Sequence, residues 1–279
     1  MITITNESEQ DGESKANDII FCITDQINQG ITGVDALELR LDCAKLNKIA
    51  GAKAMTLSDY ATAHSYLKNT LDLLPAYHWQ CHYELSLRAH FLLAKSAHSC
   101  GLIDESSSVL QIILQNARSL SDKLDSYLLL VVILTDKYAL EEAYQTAHNV
   151  LLQLGESIPT AFSKDDITAS IRATSQLIHG VTEERLLERQ EMESQDKQFV
   201  LQFYNHISLV AFFAVPQMVP FFICRMIQVS MTHGICKFSL LGELKISSAA
   251  SGYIISDYHT LFFRRLFMWS TGFVQYANM

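Results

Sequence analysis

The chain has 279 residues, of which 49% are hydrophobic and 18% charged, and its formal net charge is −9. This composition supports a continuous buried core and excludes a chain that is disordered throughout. The negative charge argues against a nucleic-acid partner, because nucleic-acid binding needs a clustered basic surface. The six cysteines form no CxxC pair, which is typical of reduced core residues, and the N-terminus shows no leader pattern. We therefore expect a cytoplasmic protein.

The N-terminal part of the chain predicts an acidic tail followed by a pair of helices. Residues 1–18 carry several acidic side chains and hardly any apolar ones, which is typical of a mobile, disordered tail. Ordered structure is expected from Ile19. Residues 36–57 show apolar side chains at helical spacing, and Asp59 marks a turn before a second helix that Pro75 closes.

Two further pairs of helices are predicted by the same signals. Residues 79–100 repeat the helical spacing, and Gly101 suits the end of that helix. The third pair is expected to start at Leu124. Its run of seven apolar residues, 128–134, is interpreted as a helix buried on most sides, because no strands recur at a regular spacing. Residues 36–159 therefore predict three helical hairpins.

One pattern of packing residues occurs three times, once in the second helix of each hairpin. A large apolar residue is followed at +3 by a small residue and at +7 by another apolar one, which places all three on one stripe of a helix. The small positions are 43 and 37 residues apart, close to the periods of two-helix repeats. We therefore predict an all-α, TPR-like helical-hairpin repeat solenoid. The residues assigned to this packing are Tyr60, Ala63 and Leu67; Ile103, Ser106 and Leu110; and Leu140, Ala143 and Ala147.

The C-terminal part of the chain predicts more helical hairpins over residues 160–250. Asp165 or Asp166 is expected to cap the first helix of this part. The charge-dense residues 183–197 are interpreted as a solvent-facing helix and loop. Residues 251–279 match no pattern and stay unassigned.

An alternative interpretation concerns residues 207–224, an uncharged stretch that is long enough to cross a membrane. Pro216 and Pro220 would each remove a helix hydrogen bond inside such a span, and Arg225 follows without a basic flank. A buried helix, a turn at the prolines and a second buried helix explain the stretch equally well. We expect no membrane partner, and anchoring through this segment is kept as the alternative.

The sequence offers little chemistry. His78, Cys81 and His82 lie within one helical turn, with His90 further along the same predicted helix, so a metal site is one interpretation. No acid completes that cluster, and Trp79 beside it favours a packed helix. The motifs of P-loop ATPases, dinucleotide-binding folds, protein kinases and serine hydrolases are absent from the sequence. We therefore expect no catalytic residue, no metal and no cofactor.

Several short stretches of the chain occur, in order, in a known group of proteins. They are Leu46-Asn47 with Ala50-Gly51 and Lys53-Ala54; Tyr60 to Ala63 with Tyr66-Leu67; Leu73-Leu74 before Trp79 and Tyr83 to Leu85; Leu154-Gly155 with Pro159; and Arg225-Met226 with Gly234. Through these stretches, residues 19–250 resemble the helical region of very large signalling proteins. Those proteins join a Ser/Thr-kinase-like domain, a predicted ATPase of the AAA/STAND type, TPR-like helices, a GAF domain and a histidine kinase.

The resemblance implies a role beside signalling kinases. Residues 19–35 are similar to the junction at which the family's ATPase region passes into its helical repeats, so they are expected to be a remnant of that junction. The family's kinase and ATPase motifs have no counterpart here, and no catalytic or nucleotide-binding residue is carried over. Residues 251–279 have no counterpart in the family either.

Together these observations favour a binding scaffold over an enzyme. The expected function is a non-catalytic protein–protein interaction or regulatory module, whose partner is a peptide or a neighbouring signalling domain. His82, Arg88 and Lys95 are the candidates for the polar side of its groove. A free-standing TPR-like adaptor unrelated to kinases is a second alternative. A repeat array without a polar capping helix also predicts poor solubility or a homodimer through its apolar end.

Overall fold

The structure is a computed structural model that describes residues 19–31, 36–159, 163–179, 181 and 189–239. Within these ranges the regular structure is helical, and the only β-type pairing is an isolated bridge between Glu191 and Ile235. The prediction of an all-α fold is confirmed. The predictions for the tail at 1–18 and for residues 251–279 lie outside the described residues.

The chain divides into two compact units, the first ending at Ile133 and the second beginning at Leu134. The first unit begins with helix α1 at 19–30. It continues with α2 (Leu37–Thr56), α3 (Tyr60–Leu73), the short α4 (His78–Cys81), α5 (Tyr83–Ser99), α6 (Ile103–Asn116) and most of α7 (Leu120–Asp136). In this unit α2 packs against α3, α3 against α5, and α5 against α6, while α2 also contacts α5.

The α2–α3 hairpin is closed by a short turn and a close contact between the two helices. Asp59 caps α3, because its carboxylate accepts a hydrogen bond from the backbone N–H of Thr62 at 3.2 Å. Gly51 lies where a Cβ atom would come within 2.7 Å of Leu67 Cγ and 3.3 Å of the Ala63 carbonyl oxygen. The hairpin therefore needs a residue without a side chain at position 51 for its helices to approach this closely.

The α5–α6 hairpin is also formed by a short turn and a close approach of its two helices, but the contact between the helices is different. Gly101 ends α5 with a φ of +77°, in the left-handed region that favours glycine. Ser106 on α6 is fully buried, and its hydroxyl donates to the carbonyl oxygen of Ala94 on α5 at 2.7 Å. The small side chain at position 106 thus allows the close approach and supplies a hydrogen bond across it.

Helix α1 lies against the first hairpin through polar and aromatic contacts. Asn28 and Asn47 exchange side-chain amide hydrogen bonds at 2.8 and 2.9 Å. The Tyr66 hydroxyl donates to the Asp25 carboxylate at 2.7 Å, and the ring of Phe21 stacks on that of Tyr66 with centroids 5.9 Å apart. These contacts fix α1 on α2 and α3.

The structure buries six of the nine residues assigned to repeat packing. The buried ones are Ala63, Leu67, Ser106, Leu110, Ala143 and Ala147, and the partly buried ones are Tyr60, Ile103 and Leu140. Thr70, which fits the apolar stripe of α3 poorly by its residue type, is also fully buried. Its hydroxyl donates to the Tyr66 carbonyl oxygen at 2.9 Å, which satisfies the polar group inside the helix.

The second unit contains α8 (Leu140–Gln153), α9 (Lys164–Ile178), α10 (Gln195–Ala214), a 3-10 turn (Pro216–Met218) and α11 (Val219–His233). Helix α10 packs against α8 and α11, and α11 also packs against α9. Large buried side chains of α10 and α11, among them Phe203, Tyr204, Phe222 and Met226, form much of its core. Gly234 ends α11 where a Cβ atom would come within 2.7 Å of the Gln190 carbonyl oxygen.

Two helix starts differ from the sequence-based expectation because serines form the caps. Helix α7 begins at Leu120 rather than Leu124, since Ser119 and Asp122 exchange backbone-to-side-chain hydrogen bonds at its first turn. Helix α9 is capped by Ser163, and Asp166 is the third helical residue of that capping box rather than the cap. The described residues 189–194 of the charge-dense segment are not helical.

The interpretation of the cysteines as core residues is wrong for three of the six. Cys43 and Cys224 are buried and Cys236 is partly buried. The exposed ones are Cys22, Cys81 and Cys100, and all six are free thiols. Residue type alone does not reveal whether a cysteine lies on the buried or the exposed side of a helix or turn.

The uncharged stretch at 207–224 is divided between two helices. Helix α10 ends at Ala214, the 3-10 turn follows, and Pro220 lies in the first turn of α11, where a missing N–H costs no helix hydrogen bond. Among the helices described by the structure, none has the length and apolar character needed to span a membrane.

Candidate functional site

The histidine-rich segment forms two helices rather than one. Helix α4 ends at Cys81, and His82, with φ −129° and ψ 46°, breaks the chain before α5 begins at Tyr83. Ser86 Oγ lies 2.8 Å from the His82 carbonyl oxygen and 2.8 Å from His78 Nδ1. These contacts stabilise the break between α4 and α5. The expectation that His78 and His90 share a continuous helix is therefore wrong.

The two histidines nearest this break are packed side chains. The rings of His78 and His90 stack with centroids 5.5 Å apart, and the ring of Trp79 lies 4.9 Å from that of His90. Burial lowers the pKa of His78, and it lowers the pKa of His90 to about 4. Among the described side chains, no group of three or more His, Cys, Asp or Glu could hold a metal ion.

A surface cleft of about 510 Å³ opens beside this break, between the first helices of the first two hairpins. Its lining residues are Lys45 and Lys48 of α2; Gln80, Cys81 and His82; Tyr83, Glu84 and Leu85 of α5; and Arg118 of the α6–α7 connection. Of the three candidates for the groove, His82 lies in this cleft.

Arg118 is held at the cleft by Tyr83. Its guanidinium carbon lies 4.0 Å from the centre of the Tyr83 ring, and its Nη2 donates to the carbonyl oxygens of Trp79 and Gln80 at 3.2 and 3.4 Å. The Tyr83 hydroxyl accepts from the Arg118 backbone N–H at 2.8 Å and donates to the Asp122 carboxylate at 2.7 Å. Burial and the Asp122 hydrogen bond raise the pKa of Tyr83, and the Tyr83 hydrogen bond helps lower that of Asp122.

The lysines of the cleft belong to one side of α2. Lys45 pairs with Asp42 at 2.8 Å, and both side chains are more than half exposed, so this pair is weak. Lys48 makes no ion pair with a described residue. Glu84 is the one carboxylate that lines the cleft. The cleft is therefore bordered by more cationic than anionic side chains.

The other two groove candidates face a different neighbour. Arg88 and Lys95 are exposed on α5, and their charges act on Asp125 of α7. Burial raises the pKa of Asp125, and the two cations oppose that shift. The Arg88 guanidinium also lies 5.9 Å from the centre of the Phe91 ring. The structure thus brings His82 together with Lys45, Lys48 and Arg118, and places Arg88 and Lys95 beside Asp125.

Sequence inspection missed the three cations of the cleft. Lys45 and Lys48 carried only the signal of a polar side of a helix, and Arg118 lies in a connection. One usable signal existed, because Lys45 and Arg88 are separated by 43 residues, the spacing between the first two hairpins. A repeat-based comparison of polar positions would have selected Lys45.

A second polar cluster is buried in the second unit around Glu156. This side chain is 2% exposed, and its carboxylate oxygens accept from Lys197 Nζ at 3.1 Å, Tyr204 Oη at 2.9 Å and Arg225 Nη2 at 2.6 Å. Burial alone would raise the pKa of Glu156, but the bonds from Arg225 and Lys197 outweigh burial and lower it. Arg225 also donates to Gln228, which donates to Thr174 of α9.

The Glu156 cluster links helices of the second unit through ion pairs and hydrogen bonds. It joins the chain after α8 to α10 and α11, and through Gln228 to α9. Lys197, Tyr204 and Arg225 are 41, 48 and 69 residues away from Glu156 in the sequence, so no local residue spacing predicts the cluster. A buried acid with this many donors is satisfied, and it offers no free group to a ligand.

Comparison with known proteins does not place the chain in a family. No protein-family model matches it, and neither a curated protein nor a solved structure matches it.

Proposed function

We propose that the chain is a non-catalytic, TPR-like helical-repeat module that binds another protein through the first helices of its hairpins. The cleft between α2 and α5 is the centre of the proposed binding surface. The finer architecture, a solenoid of stacked hairpins, is part of this proposal. So is a location in the cytoplasm, next to a signalling ATPase or kinase.

The observation that carries the proposal is the repeated closing contact of the first two hairpins. In the first hairpin Gly51 of α2 meets Ala63 and Leu67 of α3, and in the second Ala94 of α5 meets Ser106 of α6. Both contacts join residues that are 12 positions apart, and the two contacts are offset by 43 residues. Equivalent residues closing successive hairpins are typical of a repeat, because each repeat uses the same positions to pack its two helices together.

The residue types at these positions support the TPR-like assignment. The TPR pattern has a glycine in the first helix, then a small residue and a large residue four apart in the second helix, and a closing proline. Gly51, Ala63, Leu67 and Pro75 follow that order. The contacts between α3 and α5 and between α2 and α5 are those expected when one hairpin stacks on the next.

The signalling context is supported by the resemblance of residues 19–250 to the helical region of ATPase–kinase proteins. In such an arrangement a repeat module binds one conformational state of a neighbouring domain more tightly than the other. This difference in affinity couples the state of that domain to a second domain. The proposed partner is therefore a peptide or domain of a signalling protein.

Affinity capture with matched variants tests the proposed function. The full chain is immobilised, the proteins retained from the source cells are identified by mass spectrometry, and the main retained protein is purified for a direct binding measurement. Substitution of His82, Arg88 and Lys95 by Ala should weaken that binding without lowering the melting temperature. The control is Lys68→Ala, an exposed position on α3.

Two results would overturn the proposal. One is a partner that binds the triple variant as tightly as the unchanged chain. The other is a chain that retains no protein in its intact form.

A further inference from the structure

We propose that the cleft binds a short acidic segment of a separate protein, with an apolar side chain of that segment seated against Leu85 and Tyr83. This inference deepens the proposed function, because it names the chemistry of the partner at the same surface. The inference rests on three features: the basic residues of α2 and α5, the guanidinium of Arg118 held in one position, and the apolar part of the cleft lining.

Basic residues are concentrated on the helices that form the cleft. Helix α2 carries four basic and two acidic residues, and α5 carries two basic and one acidic. Helix α3 carries one of each, and α6 carries two acidic residues and no basic one. In a chain with a net charge of −9, the surface formed by α2 and α5 is therefore the one that attracts an acidic ligand.

Arg118 is prepared to receive a carboxylate. Its Nη2 is occupied by two carbonyl oxygens and its plane is supported by the Tyr83 ring. Among the described residues, no acceptor binds its Nε or Nη1. A guanidinium held in one position loses little side-chain entropy when it binds a carboxylate, so it contributes more than a mobile lysine does.

Acidic residues near the cleft weaken its electrostatic attraction for an acidic ligand but do not turn it into repulsion. Glu84 lines the cleft, Asp42 pairs with Lys45, and Asp122 accepts from Tyr83 close to Arg118. Asp122 is already engaged by the Tyr83 hydroxyl and the Ser119 backbone N–H. Lys48 and the remaining donors of Arg118 are the groups left for a carboxylate of a partner.

An apolar anchor is expected because charge alone gives weak binding at an open surface. Leu85 is partly buried and lines the cleft, as does the buried Tyr83. The methylene stems of Lys45 and Lys48 add apolar surface opposite them. A leucine or a similar side chain between acidic residues fits this combination of groups.

Fluorescence anisotropy with defined peptides tests the inference. The probes are a labelled peptide in which Glu alternates with Leu and Ser, and the same peptide with Gln in place of Glu. The full chain should bind the Glu peptide at least about tenfold more tightly than the Gln peptide, and the preference should shrink as salt rises from about 50 to about 300 mM.

Matched variants assign the binding to the cleft. Lys48→Gln combined with Arg118→Gln should weaken binding of the Glu peptide by about tenfold or more, and Lys48→Arg should retain it. Lys68→Gln on α3 should leave binding unchanged. Equal binding of the Glu and Gln peptides, or an equal loss in the Lys68→Gln variant, would overturn the inference.

A further variant identifies the source of the acidic segment. Residues 1–18 of the chain contain Glu7, Glu9, Asp11 and Glu13. If neutralising these four residues in the full chain tightens binding of the Glu peptide, the chain's own segment occupies the cleft and a separate partner is ruled out. If binding is unchanged, the assignment to a separate protein is supported.

The two proposals fail in different ways. Loss of the acidic preference, together with a captured partner that still depends on His82, Arg88 and Lys95, would remove the inferred chemistry and leave the interaction module in place. Absence of both would remove the interaction module as well.

Discussion

The two units of the chain differ in where their principal charged cluster lies. In the first unit the cations Lys45, Lys48 and Arg118 border an open cleft. The paired helices of this unit approach each other closely at small residues, Gly51 and Ser106. In the second unit the charges of Glu156 and Arg225 meet inside the helix packing. Both units are helical, so secondary structure alone does not separate them. Charge burial does, since exposed charges are available to a partner and buried ones hold helices together.

The largest expected effect comes from breaking the buried cluster of the second unit. Glu156→Ala leaves Arg225 and Lys197 without their acceptor and should lower the free energy of unfolding by about 3 kcal/mol. Because both cations are partly exposed, we expect the lower end of the range for buried ion pairs. The measurement is urea unfolding followed by circular dichroism. Glu141→Ala, an exposed acid on α8, is the control, and equal stability of the two variants would contradict the role of Glu156.

Acid should weaken the same cluster. The folded-state pKa of Glu156 lies below its ordinary value of 4.5, so its contribution to stability is intact above about pH 4.5. That contribution is lost as the pH falls through the folded-state pKa. Stability of the unchanged chain and of Glu156→Gln should therefore converge in acid. Parallel curves down to the acid limit would show that Glu156 is not stabilised by its partners.

The first unit should be sensitive to a milder pH, through a neutral buried histidine. His90 is 5% exposed, and its pKa falls from an ordinary 6.5 to about 4. The unfolded chain binds a proton between these values and the folded chain does not, so stability falls as the pH drops from 6.5 towards 4. Between pH 7.5 and pH 5 we expect a loss of about 2 kcal/mol from this residue.

His90→Leu tests this assignment. The variant should remove that part of the pH dependence, whereas His179→Leu at an exposed position should preserve it. Denaturant unfolding at several pH values provides the measurement. A pH slope that His90→Leu leaves unchanged would show that another group is responsible.

A smaller effect is expected where the first hairpin closes. Gly51→Ala places a Cβ atom 2.7 Å from Leu67 Cγ and should destabilise the chain by about 1–2 kcal/mol, even though alanine favours a helix over glycine. Gly30→Ala is the matched control, because no atom lies within 4 Å of the added Cβ there. Thermal unfolding of the two variants should separate them, and a stabilising Gly51→Ala would refute the close contact.

The smallest effect is expected at the closing contact of the second hairpin. Ser106→Ala removes the hydroxyl that donates to the Ala94 carbonyl oxygen and should cost about 1 kcal/mol. Ser108→Ala, at an exposed position of the same helix, should be close to neutral. If the Ser106 variant were as stable as the Ser108 variant, the hydrogen bond between the helices would contribute nothing.

The helices of the first unit could largely be predicted from the sequence. Residues such as Leu67 and Leu110 recur at helical spacing, and Gly101 ends a helix by a local mechanism. The apolar run at 128–134 is helical as predicted. Signals of this kind are local, since spacing and capping depend on residues a few positions apart.

The break at His82 could not be predicted because helix propensity does not show it, although Ser86 contacts residues only a few positions away. The cleft and the Glu156 cluster were missed because they depend on contacts between distant residues. The cleft depends on Arg118 meeting Tyr83, which is 35 residues away. The Glu156 cluster depends on Arg225, which is 69 residues away. Such contacts arise from tertiary packing.

Photo-crosslinking to the captured partner tests the central claim most directly. A photoreactive amino acid is placed at Lys95 on α5, and in separate proteins at Lys68 on α3 and Gln111 on α6, all exposed positions. Crosslinking from position 95 alone would be the predicted result, since the first helices form the proposed binding surface. Crosslinking from positions 68 or 111 without position 95 would contradict it.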